Sequence, residues 1–257
     1  MLPDAEIDLA EGALALAAFD RPGVPLDRYR DHVAELADNL AEAVTETDIV
    51  PAMADVIVGQ HGYEGDSLTY DDIQNANLMR VIDRRKGLPV ALGILFLHIA
   101  RAQGFGAEGL NFPGHFLIRI DADGARRIVD PFNAGEERTA QDLRELLKMT
   151  AGLDVELSPQ HYEAVGNRDI LIRLQNNIKS RHERAGRAED ALMVIQRMLI
   201  FAPDSMLLWR EAGVVNARLG NLDAAIDAFE TIVDRADNDA VRHDAATIIQ
   251  KLRARLN

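Results

Sequence analysis

Between Pro89 and Ala100 the sequence is apolar apart from Gly93 and His98, and the apolar residues fall on every face of a 3.6-residue helix. A helix of that kind must be enclosed on all sides, so any fold of this chain is organised around it. Pro89 suits a first turn, where its missing N–H has no partner to lose, and Gly104 suits a left-handed stop after the last turn. The predicted span is 89–103. The run is too short and too closely flanked by charge to cross a bilayer, which takes ~20 apolar residues. The residues after Met1-Leu2-Pro3-Asp4 show no basic start followed by an uninterrupted apolar run. No secretory signal is expected, and the cytoplasm is the expected location.

On the N-terminal side the pattern is helical throughout. Apolar residues recur at helical spacing over 5–20, 26–43 and 49–60, with Pro22-Gly23 and His61-Gly62 as breaks. A polar loop through Thr69-Tyr70-Asp71-Asp72 leads into a short helix predicted at 73–83. Beyond the central helix the period changes to that of strands: 107–112, 115–120 and 126–130 are short and apolar, and Asp123-Gly124 is a hairpin signal between the last two. A small antiparallel sheet is expected there. Thr139, three residues before Asp142, predicts the cap of a helix over 139–149, and Ser158-Pro159 predicts the start of another.

The chain of 257 residues contains no cysteine, which removes disulfides, thiolate metal sites and a cysteine nucleophile at once. Its net charge of −14 is uneven: residues 1–80 carry 17 acids and 4 bases, the remainder 25 and 24. Such a field repels phosphate backbones, so nucleic acid is not an expected ligand. A solvated acidic face is the plain reading of the excess, and three consecutive bases, Arg84-Arg85-Lys86, are expected to form local ion pairs.

Past Leu171 the sequence repeats with an offset of 34 residues: Gly186 and Gly220 at turns, Ala191 and Ala225 in the following helix, Ile195 and Phe229 further along. With Trp209 and Gly213 in the second unit and Pro203 ending the first, the region resembles tetratricopeptide repeats. It departs from that pattern at Ala212, Asn216 and Asp237. Trp209 is expected to fill a helix pair, and a last helix over 239–256 to cover the open end of the stack.

Three motifs follow one another in the N-terminal part: Arg85-Lys86-Gly87-Leu88-Pro89 at the start of the central helix, Phe112-Pro113-Gly114-His115-Phe116-Leu117 opening a strand, and Asp130-Pro131-Phe132-Asn133 ending the next. In this order they resemble the transglutaminase-like superfamily, relatives of the papain-like fold, and more closely the SirB1 family, which joins such a core to tetratricopeptide repeats. The resemblance implies an α+β, predominantly helical fold. A transglutaminase-like domain with a small antiparallel sheet would occupy 1–165, and α-α repeats with a capping helix 166–257. It also implies a Cys-His-Asp relay. In such a relay a helix N-terminus lowers a thiol's pKa, the histidine moves the proton, and the carboxylate fixes the imidazole tautomer.

His115 and Asp130 match the second and third positions, and a hydrogen bond between them is expected. The nucleophile position falls near Pro89, Val90 and Ala91, and residues 82–103 contain no Cys, Ser or Thr. The expected function is therefore a non-enzymatic interaction protein: a pseudoenzyme with a vestigial His115–Asp130 relay and no cofactor, binding a protein or peptide partner through its cleft or its repeats. The alternative is a hydrolase or acyltransferase in which the retained pair activates water, or in which His98, His115 and Asp130 hold a metal as a two-His, one-carboxylate set. His98 is otherwise a satisfied core histidine. His61 and His161, beside loops or helix ends, read as solvated polar residues.

Overall fold

The computed structural model describes residues 2–45 and 47–256. In chain order the helices are α1 (Leu9–Ala18), α2 (Asp27–Ala43), α3 (Ile49–Ala54), α4 (Leu78–Arg84), α5 (Pro89–Ala102), α6 (Ala140–Ala151), α7 (Asn167–Arg184), α8 (Ala188–Phe201), α9 (Met206–Leu219), α10 (Leu222–Arg235) and α11 (Asp239–Leu256). The strands are β1 (Glu64–Gly65), β2 (Lys86–Gly87), β3 (Gly106–Leu110), β4 (Ile118–Ala122), β5 (Ala125–Asp130), β6 (Glu136–Glu137) and β7 (Ala164–Val165). The fold is α+β and predominantly helical. The described residues up to 174 and those from 175 onward form two compact units, and the boundary falls inside the continuous helix α7.

In the first unit α5 is the buried axis: from Pro89 to Ala100 only His98 retains intermediate exposure. The sheet runs β6-β5-β4-β3-β7 with every neighbouring pair antiparallel. Because side chains alternate along a strand, one face sends Ile118 against Gly93 of α5. The other face packs Leu110, Leu117 and Ile128 on Leu143 and Leu147 of α6. The β4–β5 hairpin turns at Asp123-Gly124, both at positive φ of 52° and 76°, as a two-residue hairpin needs. Thr139 and Asp142 form a reciprocal capping box at the start of α6.

Several elements differ from their predicted form. The helix expected over 49–60 changes at Asp55 to a π-helical turn, Asp55–Gln60, whose wider winding buries both Val56 and Ile57. The helix expected at 73–83 is broken at Asn77, which adopts an extended conformation, caps α4 by accepting from Arg80 N–H, and donates to the Ala17 carbonyl. Only a 3₁₀ turn, Pro159–Tyr162, follows Ser158, because the chain must then extend to pair β7 with the edge of β3. His115 lies in the bend before β4 rather than on the strand.

In the second unit α8 to α11 follow one another through short connections, and α8 packs on α9, α9 on α10 and α10 on α11. Gly186 and Gly220 occupy turns at positive φ, 71° and 85°. Ala225, Phe229, Ile232, Ala245, Ile249 and Leu252 build one apolar cluster, with Trp209 packed against it and its indole N–H donated to the Pro203 carbonyl. Gly213 is required here, since a Cβ on it would stand 2.6 Å from the Phe229 ring. Among the described residues no helix is long and apolar enough to cross a membrane.

Candidate functional site

Asp130 ends β5 with its side chain 1% exposed. One carboxylate oxygen, Oδ1, meets His115 Nε2 at 2.8 Å and accepts from the backbone N–H of Phe132 and Asn133 at 3.1 and 3.3 Å. The other, Oδ2, accepts from Asn133 Nδ2 at 2.8 Å and from Arg138 Nε and Nη2 at 3.2 and 3.0 Å. Burial alone pushes this carboxyl's pKa up, but the bonds from His115 and Asn133 and the Arg138 charge outweigh it and hold the pKa below the usual value. An ionised carboxylate only accepts, so His115 Nε2 carries the proton. In the neutral ring, Nδ1 is then the basic nitrogen.

Local structure explains the pairing. Ile118 pairs with Val129, which sets Leu117 opposite Asp130 on one face of the sheet, and His115 stands two residues earlier on the same strand path. Gly114, at φ +70°, makes the turn before it; a Cβ there would come within 2.8 Å of Thr150 in α6. Arg173 of α7 holds the loop from behind, donating to the carbonyls of Phe112 and His115 and lying over the Phe116 ring. Phe116 in turn fills the space that Gly93 leaves on α5, where a Cβ would be 2.4 Å from the ring.

The Phe132 ring stands edge-on to His115 with centroids 6.1 Å apart, and to Tyr70 at 5.8 Å. Phe132 also lies against Gly65, whose missing Cβ would be 2.5 Å from the Phe132 carbonyl oxygen. Gly65 pairs with Gly87, two residues before Pro89. A chain of contacts thus runs from the imidazole to the entry of α5. Leu88, Pro89, Val90 and Ala91 there are all buried and carry no nucleophilic atom. The His115 side chain is 11% exposed.

His98 stands apart from this pair. It lines a cavity of about 740 Å³ with Asp4, Asp8, Arg101, Glu108 and Asn167, and burial lowers its pKa. Neither His115 nor Asp130 lines that cavity, and His98, His115 and Asp130 are not gathered as a ligand set among the described residues. His161 is tied to the backbone N–H of Ser158 at 3.1 Å. His61 is half-buried and bonded to Asn39, so reading it as a solvated residue is corrected. Of the three consecutive bases, Arg84 pairs with Asp66 at 3.1 Å and Lys86 with Glu64 at 2.6 Å, whereas Arg85 turns inward to Tyr63 and His32. Sequence reasoning missed Arg138 and Arg173. Arg138 lies eight residues beyond Asp130, outside its motif, and Arg173 comes from about sixty residues away in sequence, whereas Asn133 was visible in its motif.

A sequence profile of the transglutaminase-like superfamily matches residues 27–176, and a tetratricopeptide-repeat profile matches residues 178–257. The chain belongs to the transglutaminase-like superfamily. Its relatives include the bacterial UPF0162 proteins, of SirB1 type. The one from Vibrio cholerae is 32% identical over 238 residues, covering 91% of this chain and 88% of that protein. One from Xylella fastidiosa is 29% identical over 229 residues, 86% of this chain and 82% of the relative. Human F-box only protein 21 is 29% identical over 157 residues, which are 57% of this chain and 24% of that protein. The transglutaminase-like match thus spans the central helix, the His115 loop and the Asp130 strand.

Proposed function

We propose that this chain is a non-catalytic protein-interaction protein, a transglutaminase-like pseudoenzyme acting in the cytoplasm, whose His115–Asp130 pair is a relay without a nucleophile. The observation that carries the reading is the entry of α5. The fold supplies the histidine and the carboxylate, but the helix start is Leu88-Pro89-Val90-Ala91 and the chain has no cysteine. A thiolate at the N-terminal turn would gain from the helix dipole and from the Nδ1 base; an alanine or proline gains nothing. Within the proposal, Ala91 or a neighbour occupies the lost nucleophile position facing the imidazole. The near-complete bonding of Asp130 suits a structural part, since it ties β5, the following turn and Arg138 to the His115 loop.

The repeat unit supplies the binding surface on this reading. Leu207 and Val214, seven residues apart on one face of α9, are 65% and 52% exposed. Leu207 borders a groove of about 430 Å³ with Phe229, Val241, Arg210 and Asp244. An apolar anchor on a partner's peptide segment, flanked by charge, fits that lining. The purified chain is expected to show no peptidase, amidase or transglutaminase turnover. Turnover that His115→Ala abolishes with folding intact would establish the water-activating enzyme instead.

A further inference from the structure

We propose that His32, Glu35 and His61 form a binding site for a divalent transition-metal cation of the zinc type, remote in sequence from the His115–Asp130 pair. His32 and Glu35 stand one turn apart on α2, and His61 follows the π-helical turn that ends at Gln60. One ligand atom from each residue lies within 4.8 Å of the others, and the two imidazole centroids are 5.3 Å apart. Small side-chain rotations bring such atoms to the ~2.0–2.2 Å that zinc requires, leaving a fourth position for water. Two imidazoles and a carboxylate suit a borderline cation better than calcium or magnesium, which take oxygen ligands.

The surroundings are those of a ligand site. Both imidazoles are partly buried, and each has a ring nitrogen set against a neighbouring polar side chain. Glu35 is the exposed member, with 58% of its side chain open, and it provides the route of entry. His32 Nδ1 faces Glu35 Oε2 at 3.0 Å, while its Nε2 meets the buried Tyr63 hydroxyl at 2.9 Å. When Nδ1 takes the cation, its proton moves to Nε2 and is donated to Tyr63, which holds the ring in place. Asn39 Nδ2 donates to His61 Nε2 at 2.8 Å, and that lone pair can pass to the metal. Arg85 contacts His32 on its Nε2 side and must draw back in that exchange. The bound ion would join α2 to the 55–61 segment.

The test is calorimetric titration of the tag-free chain with zinc chloride at pH 7.5, alongside Glu35→Gln and His61→Ala. Glu35→Gln alters an exposed side chain and keeps the fold, and circular dichroism checks His61→Ala. One equivalent of zinc is expected to bind, at least tenfold more weakly in each variant. Absence of binding at micromolar zinc, or binding that neither variant changes, overturns the proposal.

Discussion

Asp130 is buried and ionised at once, a combination that holds only because every direction around its carboxylate is filled by a donor. Asp130→Ala leaves the His115 N–H, the Asn133 amide and the Arg138 guanidinium without their acceptor. Removing one member of a buried charged set costs about 3 kcal/mol. For a domain of this size that is a fall in Tm of roughly 6–12 °C, which calorimetry would read. The same group shapes the acid response. Its folded pKa is depressed, so its stabilisation is present above the unfolded value and is lost as pH falls through the folded one. Asp66 acts alike: burial opposes its ionisation, but bonds from Thr69, Asn75 and Arg84 bring its pKa to about 2. His32, His61 and His98 are depressed by burial and so begin to cost stability once pH drops below about 6.5. Tm is therefore expected to decline in two stages on acidification, first below about 6.5 and again below about 4.

At the scale of elements, two glycines on buried helices separate competing effects. Replacing a mid-helix glycine by alanine gains about 1 kcal/mol of helix propensity. At Gly93 the added methyl would stand 2.4 Å from the buried Phe116 ring, and overpacking of that kind costs about 1–3 kcal/mol. Gly93→Ala is expected to destabilise. At Gly12 the nearest atom is the flexible end of Leu171, 3.0 Å away, so Gly12→Ala is expected to be neutral or stabilising. Unfolding free energies of the two variants from denaturant titration should shift in opposite directions or differ by about 1 kcal/mol or more. In the repeat unit Ala225 is fully buried, and Ala225→Leu is expected to cost about 1–3 kcal/mol.

These elements also mark what the sequence could carry. The all-round apolar run, the 34-residue offset, the Asp-Gly hairpin and the Thr139 box are each local patterns, and α5, α8 to α11, the β4–β5 turn and the α6 cap follow from them. The two-residue strands β6 and β7 are too short for any period to register and exist only through pairing with β5 and β3. Asn216, out of pattern for a tetratricopeptide unit, is buried because its amide donates to the Ala212 carbonyl and accepts from Asn221 at the turn. At the candidate site, His115 and Asp130 were legible as motif residues. Arg173 and the His32–Glu35–His61 group were not, since the chain must fold before such distant positions meet.

Over the whole molecule, a charge of −14 with its acids crowded into residues 1–80 creates a repulsion that acts over tens of ångströms. The ion pairs that oppose it are short, such as Arg21 with Asp83 at 2.6 Å and Arg84 with Asp66 at 3.1 Å. Screening removes long-range terms first. Raising salt from 0.01 to 0.15 M shortens the Debye length from about 30 to about 8 Å. Tm is expected to rise over that range; a fall would show that the short pairs dominate.

The seam at residues 174 and 175 lies within α7, a helix of 18 residues, and not in a connecting loop. A protease needs an exposed, yielding segment, and this seam offers none. Limited digestion should nick the exposed turns near Gly124 and Gly152 and leave the helix uncut. Any truncation made at the seam would leave each fragment with only part of α7, so neither end would keep its full run of helical hydrogen bonds.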